Sequence, residues 1–375
     1  MGMKNILLAS LAAPILALAS CGDGSTKEAN AAISQTDYPS DRSSPDGSAN
    51  EDEFAANFTD REGYDDEKSA SQEEASQQDG RFSLTLPENV TSSMLGDRSK
   101  KLIAIQVMLD KSRHSPGVID GRMGGNTERA IEYYRKAYGL PPGTGVDSEL
   151  LASLMDNHGG DIFRTYTITE KDVSRQFYEI PEEFPEMAEM KKLGYRDAKE
   201  MLAERFHMDQ DFLSALNPGA NFSEAGTQLV IVSHGDNALD ADIAKIEVRK
   251  GENTVAGLDE AGNVVVSYPA TIGSSDFPSP SGQMEVAAIA PAPNYTFDPD
   301  DQQWGPDKTF IIPPGPNNPV GGTWIDLGKE GYGIHGSPDP QMVAKRASHG
   351  CVRLTNWDAA AFAKAVTTGT PVEFI

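Results

Sequence analysis

Two short groups of residues could together carry out nucleophilic chemistry. His335 and Gly336 stand side by side in the first group, and His349, Gly350 and Cys351 follow one another in the second. A cysteine attacks a carbonyl as its thiolate, and a histidine within hydrogen-bond reach can take the thiol proton and later return it to a leaving group. The pattern therefore predicts a nucleophile at Cys351 whose sulfur a neighbouring imidazole makes anionic.

The residue types alone do not decide which histidine is the base. In an extended segment His349 and Cys351 would point to the same face, whereas His335 belongs to a separate segment, from which a base usually meets a nucleophile. Gly350 lets the backbone approach a substrate closely. The N–H groups around Gly350 and Cys351 could then face the oxyanion of a tetrahedral intermediate.

The chain around these groups has the composition of a β domain. Strand composition occurs at residues 243–249, 263–268, 284–289 and 371–375. Residues 356–366 have the pattern of a helix that Asn356 caps. We therefore expect residues 240–375 to fold as a mostly-β sandwich with one short helix.

This part of the chain resembles the catalytic domain of L,D-transpeptidases of the YkuD type. The resemblance rests on the His-Gly and Ser-His-Gly-Cys groups, with Arg353 and Asn356 after them, and covers nearly all of residues 243–375. Three further motifs support it: Thr271-Ile272-Gly273, Pro278-Ser279-Pro280-Ser281-Gly282 and Asn318-Pro319-Val320-Gly321-Gly322. The resemblance implies a cysteine acyltransferase that acts on peptidoglycan stem peptides and needs neither a cofactor nor a metal.

The resemblance also assigns roles by position. Cys351 is the nucleophile and His335 the general base and acid, with a backbone carbonyl near Gly336 and Ser337 that fixes the imidazole tautomer. His349 shapes the pocket and supports the oxyanion side. The other residues expected in that supporting group are Ser348, Gly350, Gly336 and Ser337.

Four residues are candidates for substrate binding. The forked donors of Arg353 could hold a substrate carboxylate or could merely fix the loop. Trp324 and Tyr332 could line the groove or belong to the core. Asn356 completes the set.

The implied reaction is an acyl transfer in two steps. Cys351 attacks the carbonyl of the third stem residue, terminal D-alanine leaves, and an amine takes the acyl group. Hydrolysis at the same cysteine stays open, because exclusion of water is a property of pocket shape. A zinc peptidase would need ligands spaced as in His-Glu-x-x-His, which the sequence lacks. A non-catalytic wall-binding lipoprotein is the alternative from another class.

Residues 1–20 have the pattern of a secretory signal. Lys4 precedes an apolar run that is too short to stay across a bilayer, and Leu18-Ala19-Ser20-Cys21 resembles the lipobox of bacterial lipoproteins. The resemblance implies lipidation of Cys21, although an ordinary signal peptide stays an alternative. We expect an exported lipoprotein that faces the periplasm from a membrane, which is the outer membrane in a cell with two.

Composition narrows the partners further. The 57 acidic and 32 basic residues give a formal net charge of −25, which argues against nucleic acid because a phosphate binder needs a basic face. Residues 21–95 are rich in Ser, Asp, Glu and Gln, and we expect them to form a disordered acidic tether.

Residues 96–157 are expected to form an all-α unit of three helices. Leu102, Ile105 and Leu109 repeat at helical spacing, Asn126-Thr127 could cap a second helix, and Asp147 a third. The unit resembles the peptidoglycan-binding-domain family. That resemblance is carried by Asp120-Gly121, Gly124, Thr127, Ala130, Tyr134, Gly139-Leu140 and Gly145-Val146-Asp147.

Residues 160–234 resemble a LysM module, which has a strand-helix-helix-strand plan and binds N-acetylated glycans. The motifs are Leu202-Ala203-Glu204-Arg205-Phe206, Leu216-Asn217-Pro218 and Gly226-Thr227-Gln228-Leu229. An insertion at about residues 170–198 separates the first strand from the first helix. Glycan strands are therefore expected as partners beside the stem peptides.

Overall fold

A computed structural model describes residues 86–88, 90–235, 242–273, 279, 281–299, 306–329, 331–345 and 351–375. The signal peptide, Cys21 and most of the expected tether lie outside these ranges. Val90 and Leu95 lie within them and are buried in the same core as the helical unit that follows. Within the described ranges, no helix combines the length and the apolarity that a bilayer crossing requires.

The first folded unit consists of α1 (Lys100–Lys111), α2 (Gly125–Ala137) and α3 (Ser148–His158). Their apolar stripes meet in one core that includes Ile105, Leu109, Tyr134 and Leu154. Asp147 caps α3, since its side chain accepts a hydrogen bond from the Leu150 N–H at 2.8 Å. The cap predicted for α2 at Asn126-Thr127 is wrong, because Gly124 precedes the helix.

The second unit consists of four short helices between two short strands, which pair with each other. Its elements in chain order are β1 (Phe163–Thr167), α4 (Glu170–Val173), α5 (Phe184–Glu189), α6 (Ala198–Arg205), α7 (Gln210–Leu216) and β2 (Gln228–Val232). β1 and β2 are antiparallel. Asn217 after α7 ties the helices to β2, because its amide exchanges two hydrogen bonds with the Val230 backbone. α4 and α5 lie within the insertion.

The third unit is a β sandwich. Its strands are β3 (Lys245–Arg249), β4 (Thr254–Leu258), β5 (Val264–Pro269), β6 (Gly282–Glu285), β7 (Ala288–Pro291), β8 (Tyr295–Phe297), β9 (Phe310–Ile312), β10 (Thr323–Asp326), β11 (Gly333–His335), β12 (Val352–Arg353) and β13 (Pro371–Phe374). One sheet has the order β5-β4-β3-β13-β6, a second the order β12-β11-β10-β7, and β8 and β9 form a separate hairpin. The mostly-β prediction is confirmed.

One core fills the space between the two larger sheets and the helix α8 (Asn356–Ala365). Ile246 and Val372 come from the first sheet, Ile325 and Ile334 from the second, and Phe362 from α8. Because side chains alternate along β10 and β11, one set points into this core and the other set points to the opposite face of the sheet. That opposite face carries the candidate site.

Two local predictions in this unit are wrong. Residues 284–289 are not one strand, because the chain leaves β6 at Glu285, buries Val286 and enters β7 of the other sheet at Ala288. Asn356 does not cap α8, because the Thr355 side chain accepts the hydrogen bond from the Asp358 N–H at 3.1 Å.

The helical unit docks on the edge strand β5 of the sandwich. The Ser115 N–H donates to the Ser267 carbonyl at 2.9 Å, and the Ser267 N–H donates to the Arg113 carbonyl at 3.1 Å. The Ser115 hydroxyl donates to the buried Asp358 carboxylate at 3.0 Å. Asn126 donates its amide to the Val343 carbonyl at 3.1 Å, which explains why it serves docking instead of capping.

Candidate active site

Cys351 and His335 are brought together by two neighbouring parallel strands. β11 and β12 pair with His335 in register with Arg353, and Cys351 is the residue just before β12. The Cys351 thiol donates a hydrogen bond to the Gly331 carbonyl at 3.1 Å and also has a backbone hydrogen bond with Gly333. Because Gly333 and His335 are two residues apart on one strand, nucleophile and imidazole lie on the same face of the sheet.

The His335 imidazole is held in one tautomer. Its Nδ1 lies 2.7 Å from the Gly336 carbonyl oxygen, which can only accept, so Nδ1 carries the proton and Nε2 keeps the lone pair. Burial lowers the pKa of His335 to about 4, although backbone hydrogen bonds at Gly336 and Val320 oppose this shift. The ring is therefore a neutral base near pH 7, and the predicted carbonyl contact is confirmed.

The Cys351 thiol differs from the sequence-based expectation of an anionic sulfur. The residue is 4% exposed. Burial raises the pKa of its thiol to about 12, and the backbone hydrogen bond from Gly333 offsets this only in part. The resting pair is thus a protonated thiol beside a neutral imidazole, since the low-dielectric surroundings disfavour both charged forms.

Trp324 supports His335 and does not line an open groove, so its predicted groove-lining role is wrong. It lies directly across from His335 on β10 and is 2% exposed. The two rings stack with centroids 5.5 Å apart and planes 24° from parallel. A Cβ atom on Gly333 would stand 2.3 Å from the indole, so a glycine at this position is what allows the indole to lie there.

The motif at residues 318–322 forms a tight turn behind the imidazole. Asn318 donates to the Pro313 carbonyl at 2.9 Å and accepts from the Val320 N–H at 2.9 Å. Gly321 has φ of 64° and packs so closely on Gly336 that a Cβ atom there would lie 2.6 Å from the Gly336 carbonyl carbon. The glycines of the motif therefore set the position of the residue that orients His335.

Asn356 has a positioning role and not the predicted substrate contact. It is 7% exposed, and its Oδ1 accepts from the Gly322 N–H at 3.2 Å. Its Nδ2 donates to the Glu204 carboxylate at 2.9 Å and to the Pro316 carbonyl at 3.1 Å. These bonds join α8, the turn behind His335 and α6 of the second unit, and they use both Nδ2 hydrogens of the amide.

The remaining candidates lie around the same strands. Arg353 shares its strand face with His335, and burial lowers the pKa of its guanidinium to about 9, so it remains a cation near pH 7. Ser337 accepts a hydrogen bond from the Asp339 N–H at 3.2 Å and so closes the turn after His335. Tyr332 is half-buried in the turn before β11, with the Lys329 ammonium 4.5 Å from its ring centre. Ser348, His349 and Gly350 lie outside the described residues.

The insertion contributes a wall of the site that the sequence did not indicate. Cys351 and Trp324 share one apolar cluster with three insertion residues and with the β8–β9 hairpin. The insertion residues are Phe184, Met187 and Leu193. The Phe184 ring lies 5.1 Å from that of Phe297, and the Leu193 N–H donates to the Pro314 carbonyl at 3.1 Å. Its apolar residues at 180, 184, 187, 190 and 193 were the available signal.

Two histidines outside the site, His207 and His234, lie at the contact between the three folded units. His207 Nδ1 lies 3.0 Å from the Asp110 carboxylate, and its ring lies 4.4 Å from that of His234 and 5.0 Å from that of Trp357. The Arg164 guanidinium lies 3.2 Å from His234 Nε2, and a cation there opposes a metal ion at this cluster. The sequence spacing of these two histidines did not indicate that they come together.

Comparison with known proteins agrees with this site. Residues 244–374 match the family model of the L,D-transpeptidase catalytic domain, YkuD. A Bacillus licheniformis L,D-transpeptidase named YkuD is 28% identical over 173 residues, which cover 46% of this chain and 90% of that protein. Escherichia coli K12 YbiS, also named as an L,D-transpeptidase, is 26% identical over 188 residues, 48% of this chain and 61% of that protein.

Solved L,D-transpeptidases superpose only weakly on the whole chain. One from Xylanimonas cellulosilytica has 15% identity and a TM-score of 0.32, and covers 78% of this chain and 100% of that one. One from Enterococcus faecium has 19% identity and a TM-score of 0.28, with 39% and 53% covered. These scores are too low to carry weight. The family model, the relatives and the cysteine–histidine pair agree, however, and residues 244–374 of this chain are an L,D-transpeptidase catalytic domain.

Proposed function

We propose that this chain is a peptidoglycan L,D-transpeptidase that transfers the third stem residue from terminal D-alanine to an amine. The observation that carries the proposal is the buried pair of Cys351 and a single-tautomer His335 on adjacent parallel strands. Such a pair can deliver a proton to a leaving amine without first separating charge in the resting enzyme.

In the first step the Cys351 sulfur attacks the carbonyl carbon of the third stem residue while its proton moves to His335 Nε2. The tetrahedral intermediate collapses when the C–N bond to D-alanine breaks and Nε2 returns the proton to the departing amine. A thioester remains. In the second step an amine attacks that thioester, gives its proton to Nε2, and the sulfur leaves and is protonated again.

We further propose that residues 348–351, which lead into β12, supply the oxyanion site. Backbone N–H groups around Gly350 and Cys351 would donate to the oxyanion, with His349 and Ser348 shaping its surroundings. Arg353 would meet a carboxylate of the donor stem, which its charged, forked donors suit. Tyr332, half-buried at the entrance of β11, would contact the same stem.

Transfer is favoured over hydrolysis by the apolar surroundings of the nucleophile. Cys351 belongs to a cluster that includes Phe184, Leu193 and Trp324. Apolar side chains around a thioester disfavour water, whereas an acceptor stem can compensate its own desolvation with further contacts. The acceptor amine would be that of a second stem, which gives a cross-link between two third residues.

The proposal is tested by incubating the chain with muropeptides and analysing the products by mass. D-alanine release together with stem dimers supports transfer, and release without dimers supports hydrolysis by the same site. An intact-mass spectrum with a carbapenem should show an adduct on Cys351, and Cys351→Ala should abolish both adduct and release. Undiminished D-alanine release by Cys351→Ala would contradict the mechanism.

We also propose that the chain is an exported lipoprotein. Cleavage before Cys21 and acylation of that residue would anchor the protein facing the periplasm, at the outer membrane in a cell with two membranes. The helical unit and the LysM-like unit would hold glycan strands. Mass analysis of the mature N-terminus, with Cys21→Ala as the variant expected to leave the membrane fraction, tests the anchor.

A further inference from the structure

A cavity of about 660 Å³ lies between the insertion and the catalytic domain, away from the catalytic pair. Its size is within the roughly 300–1,000 Å³ of small-molecule sites. Thr323 belongs to its wall, and it points to the opposite side of β10 from Trp324 because consecutive strand residues alternate. Neither Cys351 nor His335 borders the cavity, so it is a second, separate space.

The mouth of the cavity carries an excess of positive charge. Arg175, Lys191, Lys192 and Arg205 all border it. Arg205 is paired with Asp172 at 2.8 Å. For the other three, the described part of the chain holds no ion-pair or hydrogen-bond partner. Unneutralised cations grouped in a concave region of a chain with net charge −25 attract an anion that the rest of the surface repels.

Polar side chains that hydrogen-bond one another form the floor of the cavity. The Glu204 carboxylate accepts hydrogen bonds from the Tyr195 hydroxyl at 2.7 Å and from the Asn356 amide at 2.9 Å. Burial raises the pKa of Glu204 to about 7, while the bonds from Asn356 and Tyr195 lower it. Much of this carboxyl is therefore uncharged near neutral pH and repels an incoming anion little.

Much of the rest of the lining is apolar and suits small side chains. Ala292, Pro314, Pro316 and Trp357 contribute hydrophobic surface beside the cations. A ligand that fits both features carries carboxylates together with methyl-sized side chains. Peptidoglycan stem peptides have this chemistry, since they combine alanine residues with the free carboxylates of the second and last residues and, where the third residue is diaminopimelate, with a further free carboxylate there.

We propose that this cavity is a second peptidoglycan subsite, which binds the carboxylates of a stem peptide through Arg175, Lys191 and Lys192. The inference rests on the proposed function for the choice of ligand. One wall is the 314–323 segment, whose residue Val320 hydrogen-bonds His335. A stem held there would keep a glycan strand beside the catalytic domain while the reacting stem occupies the Cys351 face.

The test uses the full chain with Cys351→Ser, which prevents turnover, and the peptide L-alanyl-γ-D-glutamyl-meso-diaminopimelyl-D-alanine with a fluorescent label on its N-terminus. The double variant K191E/K192E should weaken binding by at least about ten-fold in anisotropy titrations. The control K136E/K364E makes the same charge change at exposed positions away from the cavity and should change binding less than about two-fold. The peptide with amidated carboxylates should bind the parent protein as weakly as the charged peptide binds K191E/K192E.

Carbodiimide coupling locates the bound carboxylates. Coupled peptide should map to Lys191 or Lys192, and not to Lys136 or Lys364. Equal losses in both double variants, or coupling spread over all four lysines, would mean general charge attraction and would overturn the subsite. Intact-mass detection of acyl Cys351 in the parent enzyme is scored separately. If the parent enzyme is not acylated but K191E/K192E weakens peptide binding, only the catalytic proposal is refuted. If the parent enzyme is acylated normally but K191E/K192E leaves peptide binding unchanged, only the subsite is refuted.

Discussion

The His335 imidazole lies on the Trp324 indole, with the two ring centroids 5.5 Å apart across β10 and β11. The indole fixes the ring plane, and the Gly336 carbonyl at 2.7 Å from Nδ1 fixes its rotation within that plane. Together they leave Nε2 pointing in one direction. The general base is thus oriented by the indole that packs against it and by backbone hydrogen bonds with Gly336 and Val320.

The Trp324 indole depends on the missing side chain of Gly333, so Gly333→Ala should displace the stack. We expect the rate of Cys351 acylation by a carbapenem to fall about 100-fold, because a shift near 1 Å in a catalytic group has an effect of that size. Gly251→Ala is the matched control, since a Cβ atom there meets nothing within 4 Å. Stopped-flow absorbance measures the rate, and circular dichroism checks the fold. A Gly333→Ala rate within about two-fold of the parent would refute the role of the stack.

The protonated state of the Cys351 thiol can be read from its alkylation. With the thiol pKa raised to about 12, the iodoacetamide reaction should accelerate close to ten-fold per pH unit from pH 7 to 9 and show no plateau. Peptide mapping after quenched labelling follows Cys351 itself. A short unstructured peptide with an internal cysteine, whose thiol pKa is about 8.5, should begin to level off as the pH approaches 9 and serves as reference. A plateau for Cys351 below pH 8 would show a resting thiolate.

The insertion wall predicts that Phe184→Ala opens the site. Loss of its ring from the cluster around Cys351 should raise the alkylation rate by about ten-fold and increase the hydrolysed share of the thioester, because water gains access. Product ratios by mass spectrometry measure the second effect. Phe222→Ala removes a ring of the same size that packs, partly buried, against the core of the first two units, and it should change neither quantity. Identical effects of both substitutions would point to general loosening instead.

The buried Glu204 predicts a pH-dependent stability. Its pKa is about 7 in the folded chain against an ordinary 4.5, so the folded state binds the proton more tightly. This contribution is fully present below pH 4.5 and is lost as the pH rises through 7, an effect on the order of 3 kcal/mol. Glu204→Gln should therefore lose less stability between pH 5 and 8 than the parent in urea unfolding. Glu132→Gln, at an exposed position on α2, is the control and should lose as much stability between pH 5 and 8 as the parent. An equal loss of stability in Glu204→Gln would contradict this role of Glu204.

The sequence-based predictions were right where a short motif determines the local structure. The Asp147 cap, the contact of His335 with the Gly336 carbonyl and the β-rich character of the last unit follow from short motifs, and the structure contains all three. The roles of Trp324 and Asn356 could not be predicted in this way. Both depend on partners far apart in the chain, such as Gly333 across a hairpin and Glu204 in another unit.

The charge state of the nucleophile was mispredicted for a similar reason. A nearby histidine suggests a thiolate, but Cys351 belongs to a buried apolar cluster that also contains Phe184 and Leu193 of a distant insertion. Burial raises the pKa of the thiol, and the backbone hydrogen bond from Gly333 opposes this rise only in part. The sequence contained the apolar positions of the insertion, yet nothing in their spacing indicated which surface they would cover.

The contact of residues 113–115 with β5 has a consequence for how the enzyme can be studied in pieces. A strand at the border of a sheet offers unsatisfied N–H and C=O groups to any other chain, and here Arg113 and Ser115 occupy those of Ser267. Truncation before residue 240 would uncover them. Such a fragment would be prone to self-association, and weak turnover by it would reflect a lost protective border instead of a faulty catalytic pair.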